Sequence, residues 1–158
     1  MLTCSKITYE QCANISRAVA AGAGLAGCHG GMCDTFRESA DWQFMTGAQW
    51  VAHPGGIVDY TVNLCPESPF CEGLSDFPMH CEQYYIHYDP AVKIHATTTF
   101  CLDNAPHMAN GPVTMPVVFT KMWGKGRVYY NSLGHTNKTF DIPEIKTLMV
   151  RGLLWAAR

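Results

Sequence analysis

Two hydrophobic periods run through the chain, and the places where one gives way to the other predict its elements. Behind Thr8-x-x-Gln11, Cys12, Ile15 and Val19 recur at helical spacing. The hydroxyl and amide of such a pair cap each other's backbone N–H, so a helix is predicted from there to about Gly22. Leu25-Ala26 reads as a short buried strand, and residues 34–45 as helix and turn, with Trp42, Phe44 and Met45 adding bulk to a core. Residues 49–56 are expected to form a loop, because Pro54-Gly55-Gly56 cannot continue a regular element. Over 59–64 the period drops to two, placing Tyr60, Val62 and Leu64 on one side of a strand. An irregular crossing through Pro66, Pro69 and Gly73 leads to strands over 82–88 and 92–100, parted by Asp89-Pro90. Residues 103–115 read as a loop, and 117–122 with 127–133 as a hairpin turning through Gly124-Lys125-Gly126. Pro143 opens a last helix at the position where a missing N–H does no harm, with Ile145, Leu148, Met149, Gly152 and Ala156 as its apolar face. Neither repeats nor linkers interrupt the pattern, so residues 1–158 read as a single α/β layered domain with some antiparallel edge strands.

One short segment breaks both periods. In Gly27-x-His29-x-Gly31, small residues flank a single reactive side chain directly after a predicted strand. That is the pattern of a sharp strand-to-helix turn, which lifts its apex side chain above the end of a sheet. A serine or cysteine at the apex would announce a nucleophile. Histidine there points to a metal ligand or an acid/base group. Moving the register by one gives Ala26-x-Cys28-x-Gly30, which would present a thiol instead.

Composition narrows the classes. Charged residues are only 15% of the 158, below the roughly 25% of a typical soluble domain, which hints at surface covered by another copy or another chain. A net charge of −2 without a basic run argues against a nucleic-acid partner. No apolar stretch reaches membrane-spanning length, and the first residues do not resemble a secretory signal, so neither a membrane nor export is expected. The eight cysteines contain no C-x-x-C pair and are read as reduced thiols of a cytoplasmic protein, most of them small buried hydrophobes.

Taken as a set, several motifs resemble the ThuA-like (trehalose-utilisation) family. They are Gly27-Cys28-His29-Gly30-Gly31 with Asp34 and Phe36-Arg37, His53-Pro54, Glu82-x-Tyr84-Tyr85, Trp123-Gly124-Lys125-Gly126-Arg127-Val128, Leu133-Gly134-His135 and Arg151-Gly152-x-x-Trp155-Ala156. The resemblance implies a flavodoxin-like, class I glutamine amidotransferase-like three-layer sandwich and a role in the metabolism of trehalose or a related disaccharide or keto-sugar. Relative to the family, the chain is expected to lack the first βα elements, since Leu2-Thr3-Cys4 looks like the end of a later strand; either the sequence starts late or another chain completes the sheet. Ser68-Pro69 stands where the family often has His-Pro.

In amidotransferases of this fold the elbow carries a cysteine, and a histidine after the last strand activates it. Here the corresponding positions fall on His29 and His135, which cannot make a nucleophile–base pair. They can share a divalent metal, with zinc suited by ligand type, and His53 and Glu82 are expected to point to the same crevice. The expected catalytic groups are therefore His29, His135 and Glu82, and the expected metal ligands are His29, His53, His135 and Glu82. Glu82 is either a fourth ligand or the general base. Asp34, Arg37, Tyr85 and Trp123 are candidates for holding substrate. The chemistry they suggest is metal-assisted hydrolysis of a sugar, or an isomerase-type proton transfer beside a sugar carbonyl. Two alternatives stand beside it: a non-catalytic module that binds a sugar or a partner dehydrogenase, and a thiol-dependent hydrolase or amidotransferase using Cys28. The expected partners are a small sugar and a second copy of the chain.

Overall fold

Local capping sets the first boundary. Thr8 accepts from the Gln11 N–H and its own N–H donates to the Gln11 side chain, closing the predicted capping box ahead of helix α1, Tyr9–Ala21. The computed structural model describes residues 3–101 and 106–157. α1 ends at Gly22, whose φ of +127° suits a residue without a Cβ. The chain then runs through β1 (Leu25–Cys28), α2 (Gly30–Cys33), α3 (Ala40–Thr46), β2 (Ala48–Ala52), β3 (Ile57–Leu64), β4 (Phe77–Glu82), β5 (Tyr85–Tyr88), β6 (Lys93–Phe100), β7 (Val113–Trp123), β8 (Gly126–Asn131) and α4 (Pro143–Ala156).

Six strands form one sheet in the order β1-β8-β7-β6-β3-β4, while β2 and β5 pair separately. β1 and β8 are parallel, with Leu25 opposite Val128 and Cys28 opposite Asn131. The other pairs are antiparallel. Alternation along β8 divides the interior in two. Val128 and Tyr130 face a core built with Cys12 and Val19 of α1, Met32 of α2, and Trp42 and Met45 of α3. Tyr129 faces the opposite core, built with Ile145, Leu148 and Ala156 of α4 and with Val62, Met79 and Val117. The layers are thus helix, sheet and helix, and the molecule is an α/β sandwich in which the antiparallel part is larger than edge strands alone.

Four segments differ from the sequence reading. The expected loop over 49–56 contains β2, whose Ala-Gln-Trp-Val-Ala has no clear alternation and which is held by backbone pairing to β5. Of the helix and turn expected over 34–45, the turn comes first and the helix begins at Ala40, where Ser39 caps the Trp42 N–H. The expected strand over 82–88 is two strands in two sheets, broken at Gln83-Tyr84. Ahead of that break lies the unexpected β4, in which Phe77, Met79 and Cys81 are buried and Pro78 and His80 are exposed. Pro78 fits there because β4 is an edge strand, where a missing N–H is tolerated. β7 also starts earlier than predicted, at Val113. Of the stretch read as a strand end at residues 2–4, Leu2 lies outside the described residues, and Thr3-Cys4 form a turn. Part of the loop read over 103–115 also lies outside them, and residues 106–110 make a short 3-10 turn.

Candidate functional site

The sheet delivers the elbow. β1 ends at Cys28, and the His29 N–H donates to the Asn131 carbonyl at 2.8 Å, carrying the parallel pairing one residue past the strand. The backbone then reverses into α2 with His29 at φ +50° and ψ −146°. That is a disfavoured conformation for a residue with a side chain, and surrounding bonds hold it there. The Tyr130 hydroxyl donates to the His29 carbonyl at 3.2 Å, and the Tyr84 hydroxyl bonds His29 Nδ1 at 3.0 Å. Gly27 is needed because a Cβ there would lie 2.8 Å from the sulfur of Met32.

With Nδ1 and both backbone groups engaged, Nε2 of His29 faces the crevice. Glu82, the last residue of β4, brings its Oε2 to 3.1 Å from that nitrogen. His135, beyond β8, places Nδ1 3.3 Å from the same oxygen, and His53, beyond β2, places Nδ1 at 3.7 Å. Three imidazoles therefore surround one carboxylate oxygen. Ligand atoms of His29, Glu82 and His135 all lie within 4.8 Å of one another. The side chains of His29 and Glu82 are only 14% exposed.

These contacts are short, yet the two buried nitrogens lack the alignment of well-formed hydrogen bonds. Buried His29 Nε2 and His53 Nδ1 have no hydrogen-bond partner, and neither has Trp50 Nε1 beside them. Those are three of the six such atoms among the described residues, whereas buried polar atoms are nearly always paired. Ring nitrogens and a carboxylate oxygen are thus gathered close enough for one ion to reach them all. A divalent cation is the kind of ligand that such a cluster suits, and two imidazoles with one carboxylate match the donor set of zinc and similar ions. Burial, opposed by the Glu82 charge, holds the His29 pKa down at about 4, so its imidazole is neutral at neutral pH, as a ligand must be.

The remaining sequence candidates fall into two groups. Asp34 is buried at the end of α2 and pairs with Arg37, whose guanidinium lies 4.3 Å above the Trp50 ring. Trp50 in turn packs 5.4 Å from His53 and 6.1 Å from Tyr84, so Arg37 and Asp34 reach the site only through the Trp50 ring. Tyr85 and Trp123 are placed elsewhere. Tyr85 packs on Phe100 and His107 and accepts from Asn110, and Trp123 donates to Ser16 beside α1. It is Tyr84 that reaches His29, because adjacent residues of an extended chain point to opposite sides. Cys28 lies behind the elbow near Gly134, and burial raises its thiol pKa, which disfavours the thiolate.

An open hollow of about 480 Å³ lies elsewhere, against Phe44, Gly47, His87 and Tyr88. It gathers no comparable chemistry, so ligand geometry rather than size identifies the site. No helix among the described residues is long and apolar enough to cross a membrane.

A sequence profile described as trehalose utilisation (ThuA) matches residues 2–156. A ThuA-like protein from Bacteroides uniformis superposes with a TM-score of 0.70 at 16% identity, over 99% of this chain and 67% of that one. Another, from Parabacteroides merdae, gives 0.68 at 19% identity, over 94% and 65%. A β-galactosidase from Bacillus circulans sp. alkalophilus gives 0.56 at 13% identity, over 96% of this chain and 21% of that one. At these identities the likeness is one of fold. The chain spans about two thirds of the length of the two ThuA-like proteins. No curated protein matches its sequence.

Proposed function

The chain belongs to the trehalose-utilisation (ThuA) family, and from that premise we propose that it is a cytoplasmic enzyme acting on a sugar at a divalent-cation site formed by His29, Glu82 and His135. The observation that carries this reading is the convergence of those side chains, with His53, on one point that leaves buried nitrogens unpaired. Zinc suits the donor set. When bound, such an ion supplies the charge that polarises a sugar oxygen or acidifies a water. His29 and His135 would hold the ion through ring nitrogens. His53, farther from Glu82 and outside the tight three-residue set, is placed to complete the ligands or to carry a proton to and from Glu82. Trp50, backed by Arg37 and Asp34, forms the aromatic wall along which a sugar would lie. Hydrolysis and proton transfer beside a sugar carbonyl both need this pairing of an electrophile with a carboxylate base.

The test is to follow trehalose, and disaccharides oxidised to a ring ketone, by proton NMR with untagged protein supplied with zinc. Turnover that stops with a chelator and in His135→Ala supports the reading. Sugar binding without turnover under every condition overturns it and favours a binding module. That second reading has its own support, because the same fold recurs as about a fifth of a β-galactosidase.

A further inference from the structure

Tyr84 interrupts two strands. β4 ends at Glu82 and β5 begins at Tyr85, in a different sheet. The break is anchored by buried Gln83, whose side-chain amide donates to the Thr98 hydroxyl at 2.8 Å and to the Thr99 carbonyl at 3.1 Å. Tyr84 is thereby fixed with only 4% of its surface exposed, its ring 4.4 Å from the His29 ring and its hydroxyl on His29 Nδ1. Gly30 makes room for it, since a Cβ there would lie 3.3 Å from the hydroxyl.

A phenol both donates and accepts, unlike the carbonyl or carboxylate that commonly supports a metal-bound histidine. Donating to Nδ1, it leaves the His29 proton on Nε2, toward Glu82. Accepting from Nδ1–H, it leaves a lone pair on Nε2. The proton moves between the two nitrogens of one ring, and none is gained or lost. We infer that Tyr84 is the positioning residue of this site, a reversible hydrogen-bond partner that holds His29 in either tautomer and so frees Nε2 to ligate when a cation arrives. The inference rests on the cation reading for its consequence, but its geometry stands apart from it. Phenylalanine would keep the ring packing and lose both roles.

The experiment compares untagged wild type with Tyr84→Phe by long-range proton–nitrogen NMR of the histidine rings, Zn²⁺ calorimetry and the visible spectrum of Co²⁺-loaded protein. Near-ultraviolet circular dichroism confirms that both are folded. Wild-type His29 is expected in a single tautomer that changes on adding Zn²⁺. In Tyr84→Phe the tautomers mix, Zn²⁺ affinity falls roughly 10- to 100-fold and the Co²⁺ spectrum shifts. An unchanged tautomer population with unchanged affinity overturns the inference. Should wild type take up neither ion, the cation reading fails, and the tautomer comparison without metal still decides the role of Tyr84.

Discussion

His29 sits at φ +50°, a backbone angle that costs a residue with a Cβ on the order of 1–3 kcal/mol. Asn131, Tyr130 and Tyr84 each contribute a hydrogen bond that keeps it there, and the one atom left over faces Glu82. Strain held by so many partners is better explained by what the side chain presents than by any packing it achieves. Glycine adopts this angle freely. His29→Gly is therefore expected to leave the ion-free melting temperature equal to or above that of wild type while abolishing cation binding, as scanning calorimetry and metal titration would show. A large fall in melting temperature would mean that the imidazole is a structural residue.

At the scale of elements, another histidine shows what a structural role looks like. His95 of β6, 1% exposed, bonds Ser68 through Nδ1 and Thr120 of β7 through Nε2, both at 2.8 Å, and Phe70 packs on its ring. It ties the crossing loop to two strands. The ionisable groups around it are the Cys71 thiol, which donates to its carbonyl, and Lys93. Burial, with a smaller contribution from Lys93, lowers its pKa from 6.5 to about 4. Between those values the unfolded chain binds a proton that the folded chain does not, so stability is whole above about pH 6.5 and drains as pH falls toward 4. The shift corresponds to roughly 3 kcal/mol. Urea midpoints between pH 7 and 4.5 should fall less steeply in His95→Gln than in wild type, and parallel slopes would contradict the assignment.

The same scale shows what could be read from sequence. Thr8 with Gln11, Gly124 to Gly126 and Pro143 act through neighbours in the chain, so α1, the β7–β8 turn and the start of α4 were legible. So was the elbow, because a sharp turn must be written in glycines around its apex. β2 was not, since its pairing to β5 lies some 35 residues away and its own sequence does not alternate. Gln83-Tyr84 looks like the middle of a strand. Only the tertiary exit of the chain from one sheet to another turns Tyr84 rather than Tyr85 toward His29, and no local pattern announces that.

Across the whole molecule, the two cores on either face of the sheet fix β1, β4 and β8, and the ends of those strands hold His29, Glu82 and the approach to His135. The converging side chains come from positions 29, 82 and 135, so no short motif could have specified their meeting, although the family resemblance pointed to His29 and His135 as a pair. The account stands on that convergence having an occupant. The direct measurement is the metal content of untagged protein by elemental mass spectrometry, for wild type and for Glu82→Gln, after reconstitution with divalent ions and removal of excess. About one ion per wild-type chain, lost in Glu82→Gln, is the predicted result. A wild-type chain that retains no ion would contradict the account at its centre.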